Sequence, residues 1–167
     1  MTTGEDAVGE QDHRALRDAL GTFATGVTII TMAAPDGSPG GLTVNSFTSV
    51  SLDPPLVLWC LRRRSRWRPV LAAAGRFAVN VLASHQRQES RRFAGRDESP
   101  FDRTAWQPGP DGVPLIDGAL AHFVCRKRQD VDAGDHVIIL GEVEGFSVGE
   151  GEPLVFHGGG YFTVGGH

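Results

Sequence analysis

The chain has 167 residues, of which 40% are hydrophobic and 22% charged, the balance of one globular domain with a real core. Its net charge of −4 gives no electrostatic case for nucleic acid, and no apolar run approaches the ~20 residues of a membrane-spanning helix. Residues 1–12 are polar and acidic, lack the basic and apolar regions of a signal peptide, and read as a disordered tail ahead of a single domain over 13–167. Cys60 and Cys125 lie far apart without C-x-x-C spacing, which suits free thiols in a reducing, cytoplasmic setting. Leu16, Leu20, Phe23 and Ala24 recur at helical spacing, so residues 12–25 predict an amphipathic helix stopped at Gly26. The β-branched run 27–32 predicts a strand, and Pro35-Asp36-Gly37 a turn into the next one.

The stretch from Gly41 to Leu56 organises the rest of the chain. Short donors, Thr43, Asn45, Ser46, Thr48, Ser49 and Ser51, interleave with small and apolar residues before Pro54-Pro55 halts ladder pairing. Donors of this size let backbone N–H groups approach an anion, which suits a phosphate or a polar ring edge. An edge strand with a hydroxyl-rich face would read the same way. Ser49 and Ser51 flank Val50, so in an extended chain they share a face.

Residues 56–61 predict an apolar, central strand, followed by the arginine-dense run 62–68, a short helix over 69–74 stopped by Gly75, and a strand over 77–82. Ser84 is a fair N-cap for a helix to about Ala94. Residues 97–118, rich in Pro, Gly and Asp, predict a long irregular excursion. Strands over 120–131 and 136–148 join around Asp132-Ala133-Gly134-Asp135, and the tail 154–164 ends in a last short strand. Strands do not alternate with helices, so an antiparallel barrel, closed or split, with flanking helices fits better than a doubly wound sheet.

The chain has no G-x-G-x-x-G after a first strand, no P-loop, no G-x-S-x-G and no metal-ligand spacing among its histidines. Several polar residues have ordinary structural readings. Asn80, between Val79 and Val81, suits a hydrogen-bonded core amide. His136 suits a strand end, residues 157–161 a glycine-rich turn, and the arginines a solvated helix start.

The organising stretch resembles the flavin-binding segment of the short-chain flavin reductases, the small components of two-component flavin monooxygenases. Their pattern, G-x-T-x-N-S-F-T-S-V-S-x-x-P-P-L, is matched almost throughout. Gly75-Arg76-Phe77-Ala78-Val79-Asn80-Val81-Leu82, Gly134-Asp135-His136 and Phe156-His157-Gly158-Gly159-Gly160-Tyr161 fit the same family in the same order. The resemblance implies a mainly β, FMN-binding split barrel that forms a homodimer. It implies reduction of FMN or FAD by NADH or NADPH, with reduced flavin handed to a separate monooxygenase. It implies a flavin site built from Thr43, Val44, Asn45, Ser46, Ser49, Val50 and Ser51, then Cys60 and Leu61, then Ser65 and Arg66. Phe77, Ala78 and Asn80 would lie against the flavin. His136 would be the catalytic residue near the flavin and nicotinamide rings, and His157, Gly158, Gly159 and Tyr161 would line the shared cleft. Trp67 departs from the family, which more often has a small hydroxyl residue there. A non-catalytic flavin-binding or electron-carrier protein is the alternative, and the His136 and 157–161 segments favour the reductase because a carrier needs no nicotinamide cleft.

Overall fold

The computed structural model describes residues 9–165. Most of the expected N-terminal tail lies outside them, and the first helix, α1 (Glu10–Gly21), starts two residues before the expected end of the tail. It also stops earlier than periodicity implies. The Thr22 N–H reaches Ala19 O and the Phe23 N–H reaches Leu20 O, both at 3.2 Å, and the Thr22 hydroxyl donates to Ala19 O at 2.7 Å, while Thr25 and Gly26 are taken up by sheet pairing.

The strands are β1 (Thr25–Gly26), β2 (Thr28–Ala33), β3 (Pro39–Val44), β4 (Thr48–Leu52), β5 (Pro55–Arg62) and β6 (Arg76–Val81). Helix α2 (Trp67–Ala74) separates β5 from β6, and α3 (Arg87–Ala94) follows β6. Then come β7 (Trp106–Pro108), β8 (Pro114–Ile116), β9 (Ala121–Ala133), β10 (His136–Val148), β11 (Leu154–His157) and β12 (Gly160–Thr163). The main sheet is antiparallel, with order β3-β2-β6-β9-β10-β5-β4, and β1, β11 and β12 form a smaller one. The ladder does not close, because β3 and β4 each keep an unpaired edge, so of the closed and split forms that the sequence allowed the closed one does not form. It also puts β5 next to an edge rather than at the sheet centre.

The sheet nevertheless curls. Val44 of β3 and Val57, Trp59 and Leu61 of β5 share one core with Ile30, Phe77 and Ile139, although four strands separate β3 from β5 in the ladder. A second core on the other face gathers Val27, Ile29, Leu82, Phe93, Ile116 and Leu154. Strand β2 is therefore buried on both faces, which is why its sequence is a continuous β-branched run instead of an alternation.

Two glycines set how closely the helices sit. A Cβ on Gly40 would overlap the Trp67 ring, and one on Gly41 would lie 3.1 Å from both the Ile30 carbonyl and Phe93 Cε1. Bare backbone in β3 thus lets α2 and α3 press their aromatics directly onto the strand. Ser84 does not cap α3. Gln86 precedes the helix instead, its Oε1 accepting the Ala83 N–H at 3.0 Å and its amide donating to Asp117 O at 2.8 Å. The 97–118 excursion is more ordered than its composition implies. It contains the β7–β8 pair, and Phe101 packs edge-on to Phe93 and Trp106 at 4.9 and 5.7 Å.

Candidate functional site

Where the curl brings β3 opposite β5, it leaves a cavity of about 560 Å³. Its wall is Leu42, Thr43, Val44, Asn45 and Ser46 on one side and Cys60, Leu61 and Arg62 on the other, with Arg64, Ser65 and His136 at its rim. β3 pairs only with β2, so its outer edge presents unpaired backbone N–H and C=O groups alongside this cavity. The two sides are stitched by Ser46, whose Oγ accepts the Cys60 N–H at 2.9 Å where no ladder bond exists. Thr43 Oγ1 donates to Ser90 O at 2.6 Å, and Ser90 Oγ pairs with the Tyr161 hydroxyl at 2.8 Å. The Asn45 side chain is exposed and has no hydrogen-bond partner among the described residues.

His136 stands at the first position of β10, opposite Arg62 of β5. Its Nδ1 pairs with Asp135 Oδ1 at 2.7 Å, which orients the ring and leaves Nε2 without a partner among the described residues. That same hydrogen bond, followed by the charge attraction, holds the Asp135 carboxyl below the usual carboxylate range. The arginine run divides by function of place. Arg63 and Arg68 reach Asp132 at 3.5 and 3.8 Å, while Arg62 and Arg64 line the cavity. The donor set fits a phosphate-bearing ring system, combining guanidinium groups, short hydroxyls, a free amide and an open strand edge in a space of ligand size.

A second cavity of about 710 Å³ shares Leu42, Thr43, Arg62 and Ser65 with the first and adds Arg66, Trp67 and the segment from Arg92 to Glu98. A small pocket of about 160 Å³ adjoins through Thr43 and Asn45 and is closed by Ser90, Phe156 and Tyr161. These spaces bring together Thr43, Val44, Asn45, Ser46, Cys60, Leu61, Ser65, Arg66, His136 and Tyr161.

Other expected site residues lie elsewhere. Ser49, Val50 and Ser51 sit on the edge strand β4, outside these walls, and a register shift between Ser49 and Ser51 leaves Val50 without a partner. Such a bulge breaks the simple alternation that puts the two serines on one face. Phe77, Ala78 and Asn80 have no exposed surface. β6 is an interior strand between β2 and β9, and the Asn80 amide is fully used: it donates to Ile29 O at 2.8 Å and Thr31 Oγ1 at 3.0 Å and accepts the Ile116 N–H at 2.8 Å. His157, Gly158 and Gly159 form the exposed β11–β12 turn, where φ of 54° and 81° at the glycines requires residues without a Cβ. The residues that sequence reasoning missed are Leu42, Arg62 and Arg64 of the first cavity and the segment from Arg92 to Glu98 of the second. Besides the arginine-dense run, the Gly40-Gly41 pair is a signal that points there, since adjacent glycines in a strand mark close approach.

A family model described as flavin reductase like domain matches residues 20–165. The NADH-dependent FMN reductase SmoA of Agrobacterium fabrum is 48% identical over 153 residues, covering 92% of this chain and 87% of that one. The reductase component of the flavin-dependent trigonelline monooxygenase of Acinetobacter baylyi is 45% identical over 150 residues, 90% of this chain. The chain spans about half the length of some curated relatives, 48% in the Acinetobacter case. Among solved structures, the Streptomyces globisporus NADH:FAD oxidoreductase SgcE6, in complex with NAD and FAD fragments, superposes with a TM-score of 0.89 at 40% identity, covering 96% of this chain and 97% of that one.

Proposed function

This chain belongs to the flavin reductase-like domain family, and we propose that it uses NADH or NADPH to reduce FMN or FAD for a separate flavin-dependent monooxygenase. The observation that carries this reading is the cavity between β3 and β5, with guanidinium groups at its rim and an unpaired strand edge along its wall. Hydride transfer is the chemistry of the nicotinamide and flavin themselves; the protein's part is binding, orientation and exclusion of water. Thr43, Val44, Asn45, Ser46, Cys60, Leu61 and Ser65 hold the flavin ring and its phosphate end, with Arg62 and Arg64 supplying the charge. His136, oriented through Nδ1 by Asp135, offers Nε2 to the cavity. Tyr161 closes the adjoining pocket on the nicotinamide side. β4 and β6 act from outside the wall: β4 braces β5, and β6 braces β2 behind β3.

The curled, open sheet is in this reading a split barrel completed as a homodimer. Leu20 of α1 is 67% exposed and Phe146 of β10 is 71% exposed, apolar surface that a second copy covers. The flavin is a substrate that must leave, so binding is micromolar or weaker: at an association rate of about 10⁶ M⁻¹s⁻¹, release then keeps pace with about one turnover per second. The deciding experiment mixes the protein anaerobically with NADH or NADPH and an excess of each flavin. Rapid catalytic bleaching of flavin absorbance is expected. Flavin binding without bleaching by either nicotinamide identifies a carrier instead.

A further inference from the structure

Tyr161 joins α3 to the candidate site. Its hydroxyl pairs with Ser90 Oγ at 2.8 Å, and with Ser90 and Phe156 it closes the small pocket that adjoins the first cavity through Thr43 and Asn45. Over the same ring lie two guanidinium groups from α3, that of Arg87 at 5.8 Å and that of Arg91 at 5.6 Å from the centroid. A guanidinium stacked on an aromatic ring is oriented by it and keeps the N–H donors of its edge free. Arg87 spends one of them on a long bond to Tyr161 O at 3.4 Å. Neither guanidinium reaches a carboxylate among the described residues.

Both arginines are poorly placed if they serve α3 alone. Arg87 is the first residue of that helix, where the positive end of the backbone dipole disfavours a cation. Arg91 lies one turn further on, and like charges at that spacing repel. Glu89, the acid of the first turn, ion-pairs with neither among the described residues. The arginines of β6 and β9 are arranged otherwise: Arg76 and Arg126 share Glu144, and Arg128 reaches Glu142 at 3.2 Å. Arg87 and Arg91 are thus two exposed guanidiniums that converge on one ring, without neutralisation, beside a pocket adjoining the main cavity. That arrangement suits an anion with several acceptor oxygens. A phosphate has this form, and guanidinium edges match it through paired hydrogen bonds.

We infer that Arg87 and Arg91 hold a phosphate of the nicotinamide dinucleotide; this rests on the flavin reductase reading, with Tyr161 on the nicotinamide side. The phosphate has two sources: the pyrophosphate common to NADH and NADPH, and the ribose 2′-phosphate that NADPH alone carries. In the second case the pair sets cofactor choice in favour of NADPH. Both side chains are at the surface, where a single charge contact is weak, so each arginine contributes about threefold in affinity and the two together about tenfold.

The test is calorimetric titration with NAD⁺, NADP⁺ and nicotinamide riboside, which has the same ring and no phosphate. It is done in saturating FMN, where the oxidised pair does not react, and FMN itself is titrated separately. The natural chain is compared with the double variants Arg87→Gln, Arg91→Gln and Arg87→Lys, Arg91→Lys. The glutamine variant should bind NADP⁺, or both dinucleotides, about tenfold more weakly, with the riboside and FMN within about twofold. The lysine variant keeps the charge and should recover most of the loss. The loss should shrink at about 0.5 M salt, where exposed charges are screened. An equal loss on both dinucleotides assigns the pair to the pyrophosphate, and a loss on NADP⁺ alone assigns it to the 2′-phosphate. Unchanged dinucleotide affinity overturns the inference. A loss shared by the riboside also overturns it, because the arginines then act only by positioning Tyr161. So does a loss confined to FMN, which puts the pair in the flavin site. Those outcomes leave the reductase reading standing as long as flavin is bleached; failure to bleach refutes that reading without altering the titrations.

Discussion

A Cβ on Gly141 would lie 2.5 Å from Phe77 Cζ and 2.9 Å from Cε1. Phe77 has no exposed surface and packs edge-on to Trp59 at 5.7 Å, so its ring has nowhere to go. Gly141→Ala is therefore expected to cost about 1–3 kcal/mol, a fall in melting temperature of roughly 2–12 °C for a domain of this size. Thermal denaturation checks it, and an unchanged midpoint means the bulged backbone there yields instead. Glu144 makes a different kind of contribution. It sits between Arg76 at 2.7 Å and Arg126 at 3.2 Å, and the hydrogen bond from Arg76 is the main reason its carboxyl lies below the usual range. A carboxylate depressed in the folded state stabilises at pH values above its unfolded pKa, and that stabilisation fades as pH falls through the folded value. The melting-temperature gap between the natural chain and Glu144→Gln should be full at neutral pH and should close between about pH 5 and pH 3. A gap independent of pH would show that the carboxylate charge is not what stabilises.

Among elements, the bond chain Thr43–Ser90–Tyr161 ties β3 to α3 and α3 to β12. Ser90 is fully buried, and Ser90→Ala removes only its link to the Tyr161 hydroxyl, because Thr43 bonds to the Ser90 carbonyl. The expected cost is about 0.5–1.5 kcal/mol, appearing as faster amide exchange confined to β11 and β12. Exchange that rises everywhere, or nowhere, would mean the hydroxyl pair does not hold the hairpin. Elements of this kind were legible in the sequence wherever the signal was local. The Pro35-Asp36-Gly37 turn, the Gly75 stop and the paired strands around Gly134 all form as their residues imply, with Gly75 at φ 66° and Gly134 at φ 63°. Boundaries set by tertiary pairing were not legible: α1 yields Thr25 and Gly26 to β11, and Gln86 displaces Ser84 because its partner, Asp117, is distant in the chain. Asn80 shows the same limit, since its partners on Ile29, Thr31 and Ile116 arrive from β2 and β8.

At the scale of the molecule, the site exists only because the sheet curls. Its two walls are far apart in the ladder, and no local pattern announces that β3 will face β5. The sequence displayed the hydroxyl-rich wall but lent β4 the same apparent weight, because polar spacing alone does not distinguish a strand facing the cavity from one on the outer edge. The curl also leaves apolar surface uncovered. Phe47, Phe123 and Phe146 form a stacked series with centroids 6.0 and 6.3 Å apart, and it ends in the exposed Phe146. If a second copy covers this strip, Phe146→Asp should weaken self-association by about tenfold or more while leaving the fold intact. Sedimentation equilibrium reads this directly. A natural chain that is monomeric at micromolar concentration would remove the homodimer from the proposal.

The contact between Gly40 and Trp67 constrains how this protein can change over generations. A side chain at 40 and an indole at 67 exclude one another, so the two positions are not free to vary in either order. Gly40→Ala in the present background is expected to be strongly deleterious, whereas the same change after Trp67→Ser meets an emptied space. In a double-mutant cycle the pair should depart from additivity by about 1–3 kcal/mol in the compensating direction. Lineages that carry a residue larger than glycine at 40 should therefore have reduced 67 first. The indole, once acquired, acts as a ratchet that keeps β3 bare.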